Sequence, residues 1–166
     1  MSLTEPPAVM KNQDLLGSLL KRVSRSFYLT LKVVPGNVRR PIGLAYLFAR
    51  AADTIADTTL IDRADRLKHL EILREAFKED KAGLLLTIKE VFAKRQQVAA
   101  ERELLTRLDE GFSILHSLSP FDQAMIRDVV LTLTEGMVMD LATFPGEDEG
   151  RLVALQTRAD LDRYTY

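Results

Sequence analysis

Two aspartates stand one helical turn apart in Arg50-Ala-Ala-Asp53-Thr-Ile-Ala-Asp57. Residues at i and i+4 share a helix face, with Cβ atoms about 5–6 Å apart. Carboxylates held that close repel one another, and a cation between them turns the repulsion into binding. Magnesium suits the pair, because this hard, oxygen-seeking ion commonly sits between one or two carboxylates and a substrate phosphate. The chemistry suggested is a diphosphate held through a metal.

At 100° per residue, Tyr46, Arg50, Asp53 and Asp57 fall in a stripe about 60° wide, opposite Leu44, Leu47, Phe48, Ala51, Ala52 and Ile55. An amphipathic helix with a solvated polar face, on which Arg50 pairs with both aspartates, gives the same wheel. Three features lean the other way. Tyr46 is an odd choice for a bare solvated face. Ala45, Ala49, Ala52 and Ala56 leave room beside the carboxylates, and lysine is absent between Val33 and Arg66. Both readings stay open on geometry alone.

A second constellation is Glu135-Gly136-Met137-Val138-Met139-Asp140-Leu141. Asp140 shares a helix face with Val129, Leu133, Gly136 and Phe144, so its carboxylate needs a partner there. A structural salt bridge to an arginine would supply one. The methionines read as core filler. Gly136 in mid-helix costs up to about 1 kcal/mol, which a close helix crossing or a cavity wall would explain. His69 and His116 have no ligand partners at metal spacing and read as structural or surface residues. No glycine-rich phosphate loop is present, so a Rossmann unit does not hold any nicotinamide cofactor.

The elements that must position these residues read as an all-α bundle, without the alternating Val-Ile-Thr runs of strands. Leu15, Leu16, Leu19, Leu20 and Val23 recur at helical spacing ahead of Ser24-Arg25-Ser26-Phe27 and an apolar stretch to Val34. Pro35-Gly36-Asn37 punctuates the chain, and a second helix is expected from about Pro41 to about Asp57. Asp62 reads as the N-cap of a third helix carrying Leu67, Leu70, Leu73 and Phe77. Helical segments near 83–94 and over 99–118 follow, the latter with Leu104, Leu105, Leu108, Phe112 and Leu115 on one side. Ser119 caps, and Pro120 opens, a long helix to about Thr143. Phe144 to Glu149 reads as a loop, and Thr157 or Asp160 opens a last helix.

The chain of 166 residues fits one domain, with residues 1–12 read as a flexible leader. A net charge of −1 with dispersed Lys and Arg gives no footprint for nucleic acid. The absence of cysteine rules out disulfides, thiolate metal sites and a Cys nucleophile, and suits a reducing, cytoplasmic setting. No apolar run approaches the roughly 20 residues that span a bilayer, and the first ten residues lack the pattern of a secretory signal.

Taken together, four blocks resemble the squalene/phytoene synthase family in order and spacing. They are Val23-Ser-Arg-Ser-Phe27, Tyr46-Leu-Phe-Ala-Arg50-Ala-Ala-Asp53-Thr-Ile-Ala-Asp57, Gly136-Met-Val-Met-Asp140-Leu141 and Tyr164-Thr-Tyr166. The resemblance implies a helical bundle of the isoprenoid-synthase type that joins two prenyl diphosphates head to head. It implies that Asp53 and Asp57 hold Mg2+ bridging to diphosphate. It places Arg50 at the diphosphate, Tyr46 and Tyr164 at the reaction centre, and Ser24, Arg25 and Phe27 along the diphosphate pocket. The implied substrate is farnesyl diphosphate or a longer prenyl diphosphate, with NADPH as reductant if squalene is the product. A lipid product would allow peripheral membrane association.

Two departures stand out. Ala56 and Thr58 occupy positions where the family usually carries acidic residues. The chain also stops at Tyr166, before the family's second Asp-x-x-x-Asp, so residues 13–166 read as the amino-terminal part of a single prenyl-transferase domain, incomplete at its carboxyl end. Little turnover by these residues alone and self-association through an exposed apolar face are the corresponding expectations. Within the family, Ser-Arg-Ser-Phe and Asp-Thr-Ile lean towards squalene synthase, and Gly-Met-x-Met-Asp-Leu towards phytoene or dehydrosqualene synthase; the squalene type is favoured. A non-catalytic helical interaction subunit that keeps the scaffold is the alternative from another class.

Overall fold

The computed structural model describes residues 14–24, 26–144 and 154–165, the side chains of Arg163 and Tyr164 excepted. Every regular element among them is helical. A π-helical turn, Leu15–Leu19, leads into α1 (Leu20–Ser24), followed by α2 (Ser26–Val33), α3 (Gly36–Asp57) and α4 (Arg63–Lys78). A 3₁₀ turn (Ala82–Leu84) then precedes α5 (Leu85–Arg95), α6 (Ala99–Thr106), α7 (Leu108–His116), α8 (Pro120–Thr143) and α9 (Arg158–Thr165). Among the described residues no helix is long and apolar enough to cross a membrane.

Local capping chemistry sets most of these boundaries. Asp62 Oδ1 accepts from the Asp65 N–H at 2.8 Å and opens α4. Ser119 Oγ accepts from the Asp122 N–H at 3.1 Å, with Pro120 in the first turn of α8. Thr157 and Asp160 form a reciprocal capping box at α9: Thr157 Oγ1 accepts from the Asp160 N–H at 3.1 Å, and the Asp160 carboxylate accepts from the Thr157 N–H at 3.0 Å.

Two boundaries differ from the sequence expectation. The second long helix begins at Gly36, and Pro41 lies inside it. Pro35 serves as the N-cap, and its carbonyl already accepts from the Arg39 N–H at 3.0 Å. Arg39 then turns its guanidinium back onto the Lys32 and Val34 carbonyls at 2.9 and 2.8 Å, tying the end of α2 to the start of α3. The expected 99–118 segment is two helices, because Arg107 leaves the helical region at φ −118°, ψ 19°. Its guanidinium is clamped by Asp14, Glu103 and Glu110 at 2.7–2.8 Å. The break keeps Leu104 and Leu105 buried along with Leu108, Phe112 and Leu115.

Helices α3, α4 and α8 pack against one another. Arg40, in the second turn of α3, donates to Ser117 Oγ just ahead of α8 at 2.9 Å. At the far end of α3, Asp53 and Asp57 share a cavity with Gly136 and Asp140 of α8. The two long helices therefore run the same way. Helix α4 runs against both. Arg63 at its start donates to the Leu141 carbonyl late in α8, and the Phe77 carbonyl near its end accepts from Arg127 early in α8 at 2.7 Å.

The core knot is aromatic. Phe48 of α3, Phe77 of α4 and Phe112 of α7 are fully buried, with ring centroids 4.7–5.6 Å apart and largely edge-on geometry. Of the two histidines, buried His69 meets the Asp65 carbonyl through Nδ1 at 2.6 Å, and exposed His116 meets Asp80 at 2.8 Å. Gly111 lets α7 approach this knot. A Cβ there would lie 2.9 Å from Phe48 Cε1, and Phe48 is wedged by its two aromatic neighbours. Gly111→Ala is expected to lower unfolding stability by about 1–3 kcal/mol through overpacking. Urea denaturation would measure it, and an unchanged midpoint would show that the Phe48 ring yields freely.

Candidate active site

Helix α3 presents its polar stripe at its carboxyl-terminal end. Asp53 Oδ2 accepts from Arg50 Nη1 at 2.6 Å, and Arg50 Nη2 donates to Glu101 Oε1 in the first turn of α6 at 2.8 Å. Glu101 Oε2 in turn accepts from buried Gln96 at 3.2 Å. Asp57 is the last residue of α3, ahead of extended Thr58. Among the described residues no cation forms an ion pair with Asp57.

These carboxylates separate two cavities. The first, about 360 Å³, is lined by Asp53, Ala56 and Asp57 from α3 and by Gly136, Met137 and Asp140 from α8, with Leu141 beside them. The second, about 300 Å³, lies on the α6 side between Arg50, Asp53, Asp57, Gln97 and Glu101. Gly136 is a wall of the first: a Cβ on it would meet nothing within 4 Å. A close helix crossing is therefore not the reason for this glycine, which lines the cavity.

Electrostatics at this end disfavour the ionised form of Asp57. Asp57 and Asp140 occupy the last turns of two helices that run the same way, where the helix dipoles are negative. Burial pushes the Asp57 carboxyl above the usual carboxylate range, and the charges of Asp53 and Asp140 push the same way; Arg50 and Arg66 oppose them. The nearby arginines of α4 are engaged with backbone. Arg66 donates to the Ala56 carbonyl at 2.9 Å, and Arg63 to the Leu141 carbonyl. They cap the ends of α3 and α8.

The apolar surroundings continue both stripes. Val38 and Ile42 precede Tyr46 and Arg50 on α3, and Phe121, Met125, Val129 and Leu133 precede Gly136 and Asp140 on α8. All six apolar side chains are exposed, Phe121 at 72%. Each helix thus carries an uncovered apolar band that ends in carboxylates. The donor set suits a hard divalent cation. Among the described residues no three His, Cys, Asp or Glu side chains gather into a ready-made metal cage. A site that supplies one or two carboxylates and takes its other oxygens from phosphate and water fits magnesium.

A family model described as squalene/phytoene synthase matches residues 20–166. This chain belongs to the squalene/phytoene synthase family. Curated relatives include squalene synthase ERG9 of Saccharomyces cerevisiae, 31% identical over 151 residues, and squalene synthase of Eremothecium gossypii, 26% identical over 148. Each alignment covers 89% of this chain and 31% of the relative. The chain therefore spans about a third of the length of these relatives. Among solved structures, TcSQS in complex with the ligand BPH1237 superposes with a TM-score of 0.65 at 24% identity, over 93% of this chain and 40% of that one. The all-helical architecture is thus shared with a squalene/phytoene synthase family fold.

Of the residues that the family resemblance assigns, the structure gathers Arg50, Asp53 and Asp57 at one end of α3. Tyr46 stands one turn earlier and stacks on Phe27 of α2, with ring centroids 4.2 Å apart and planes within 13°. Ser24 is buried at the end of α1, and its hydroxyl has no hydrogen-bond partner among the described residues. None of Ser24, Phe27 and Tyr46 lines the two cavities beside the carboxylates. Arg25 and the side chain of Tyr164 lie outside the described residues. Sequence reasoning missed Glu101 and Gln96, since nothing in the order of residues points from Arg50 to a carboxylate 51 positions on.

The electrostatics give a testable sign. The folded-state pKa of Asp57 is raised, so its ionised form opposes folding at neutral pH, and that penalty fades as pH falls through the raised value towards the unfolded one. Without divalent metal, Asp57→Asn is expected to raise the melting temperature at pH 7 by about 1–2 °C. The gain should vanish below the usual aspartate range. Thermal unfolding at both pH values checks this; a lower melting temperature at pH 7 would mean that Asp57 holds the fold together.

Proposed function

We propose that the Asp53–Asp57–Asp140 cavity receives the metal-bound diphosphate of a prenyl substrate in a head-to-head condensation of two farnesyl or geranylgeranyl diphosphates. One observation carries the reading: carboxylates at the ends of two helices that run the same way face a shared cavity, at the foot of two uncovered apolar bands. A purely structural polar face would pair Asp57 with a cation, whereas among the described residues Asp57 has no ion pair and Arg63 and Arg66 of α4 bond backbone carbonyls.

Asp53 and Asp57 are the residues that would hold magnesium, which when bound supplies positive charge to a departing diphosphate. Arg50, with donors already fixed beside Asp53, is placed to take up negative charge developing on the same group. The bands Val38–Ile42 and Phe121–Leu133 offer a water-excluding surface for the hydrocarbon chains. The stacked Phe27–Tyr46 pair lies between that surface and Arg50 along α3, where an aromatic face favours developing positive charge. The orphaned Ser24 hydroxyl is a further candidate contact for an anionic group. The squalene type is favoured because relatives bearing that name align with nearly the whole of this chain.

Calorimetry with a non-hydrolysable farnesyl diphosphate analogue tests the reading. Binding is expected to require magnesium and to weaken at least tenfold in Asp53→Asn. Binding that ignores both the metal and the substitution would retire the enzymatic reading in favour of a helical interaction subunit.

A further inference from the structure

Arg50 stands between two carboxylates that are held very differently. Asp53 is the more exposed, with its side chain 41% accessible, and it lines both cavities. Glu101 is 21% accessible and is itself anchored: its second oxygen accepts from Gln96 Nε2 at 3.2 Å. Gln96 is 6% exposed, and its side-chain oxygen accepts from the Val98 N–H at 3.0 Å. That bond turns the Gln96 NH2 towards Glu101. Glu101 also sits in the first turn of α6, where the helix dipole favours an anion. Arg50 therefore has one fixed partner and one that a metal can compete for.

We propose that Glu101, fixed by Gln96, is a positioning residue that keeps the Arg50 guanidinium aimed at the diphosphate when Asp53 turns from it to the metal. The inference rests on the metal–diphosphate reading above. Nη2 stays on Glu101 while Nη1, freed from Asp53, passes to a phosphate oxygen, so the Asp53 contact at 2.6 Å holds the place of the ligand. Without the Glu101 charge, Arg50 keeps Asp53 as its one carboxylate partner among the described residues, and the metal must break a tighter pair.

Magnesium-dependent binding of inorganic pyrophosphate, measured by calorimetry on the chain, Glu101→Gln, Arg50→Gln and the double variant, tests this. Glu101→Gln is expected to weaken binding on the order of tenfold and to have no further effect once Arg50 is replaced. Nitrogen-15 spectra of the arginine side chains should show a fixed Arg50 guanidinium that becomes mobile in Glu101→Gln. Gln96→Leu, which keeps the Glu101 charge but loosens it, should give the same pattern more weakly and serves if Glu101→Gln does not fold. Equal binding by the chain and Glu101→Gln would overturn the positioning role and leave the site reading intact, and so would an equal loss with or without Arg50. No magnesium-dependent binding by a chain whose Arg50 is fixed would instead bring down the site reading, and this inference with it.

Discussion

Everything at the candidate site depends on α3 and α8 running the same way. Two such neighbours bring their negative ends together, and here each end also carries aspartate. The arrangement is held by α4, which runs against both and sends Arg66 to the Ala56 carbonyl and Arg63 to the Leu141 carbonyl. These bonds satisfy carbonyls that a helix end leaves without partners. They do not reach Asp57, which among the described residues has no ion pair. The fold thus satisfies backbone carbonyls at this end with arginines that could have paired with Asp57.

The other end of the same helices shows how that geometry is enforced. Arg40 bonds Ser117, and the Phe48–Phe77–Phe112 knot joins α3 to α4 and α7 through buried rings in contact. Each fully buried ring contributes about 1.5–3 kcal/mol relative to an exposed one. Gly111 sets the approach of α7, and the opposite face of α3 is then committed to solvent or ligand. Burial of Leu44, Leu47, Phe48, Ala51, Ala52 and Ile55 on one side and exposure of the carboxylate stripe on the other follow from one rotational setting of the helix.

Much of this was legible in residue order because it is local. Capping at Asp62, Ser119 and Thr157, the apolar side of α3 and the Asp53–Asp57 spacing depend on neighbours within a turn or two. The start of α3 was misplaced because Pro41 is tolerated inside a helix whose cap is Pro35, and Arg39 secures that start by reaching backwards. The break at Arg107 was hidden because its cause includes Asp14, 93 residues away, across the fold. Asp140 was visible as a carboxylate on an otherwise apolar face, yet its place opposite Asp53 and Asp57 follows from the common direction of α3 and α8. No periodicity encodes that direction. Glu101 is the extreme case, an ordinary first-turn acid until α6 is set beside α3.

The same contacts weigh the two accounts of Asp53 and Asp57. A solvated salt-bridge face predicts that the arginines near this end give their charge to Asp53 and Asp57, with Asp53 within reach of Arg50 at i+3. Arg50 instead divides its two terminal nitrogens between Asp53 and Glu101, and among the described residues Asp57 is left with no ion pair. Exposed pairs of this kind contribute little stability in any case, with a median of about 0–1 kcal/mol. The raised Asp57 carboxyl shows that its ionised form is disfavoured in the fold. Stability alone gives no reason to keep a carboxylate beside two others at the negative ends of two helices. On the proposed reading, a cation shared with a ligand would supply the charge that Asp57 lacks while Arg63 and Arg66 hold backbone carbonyls.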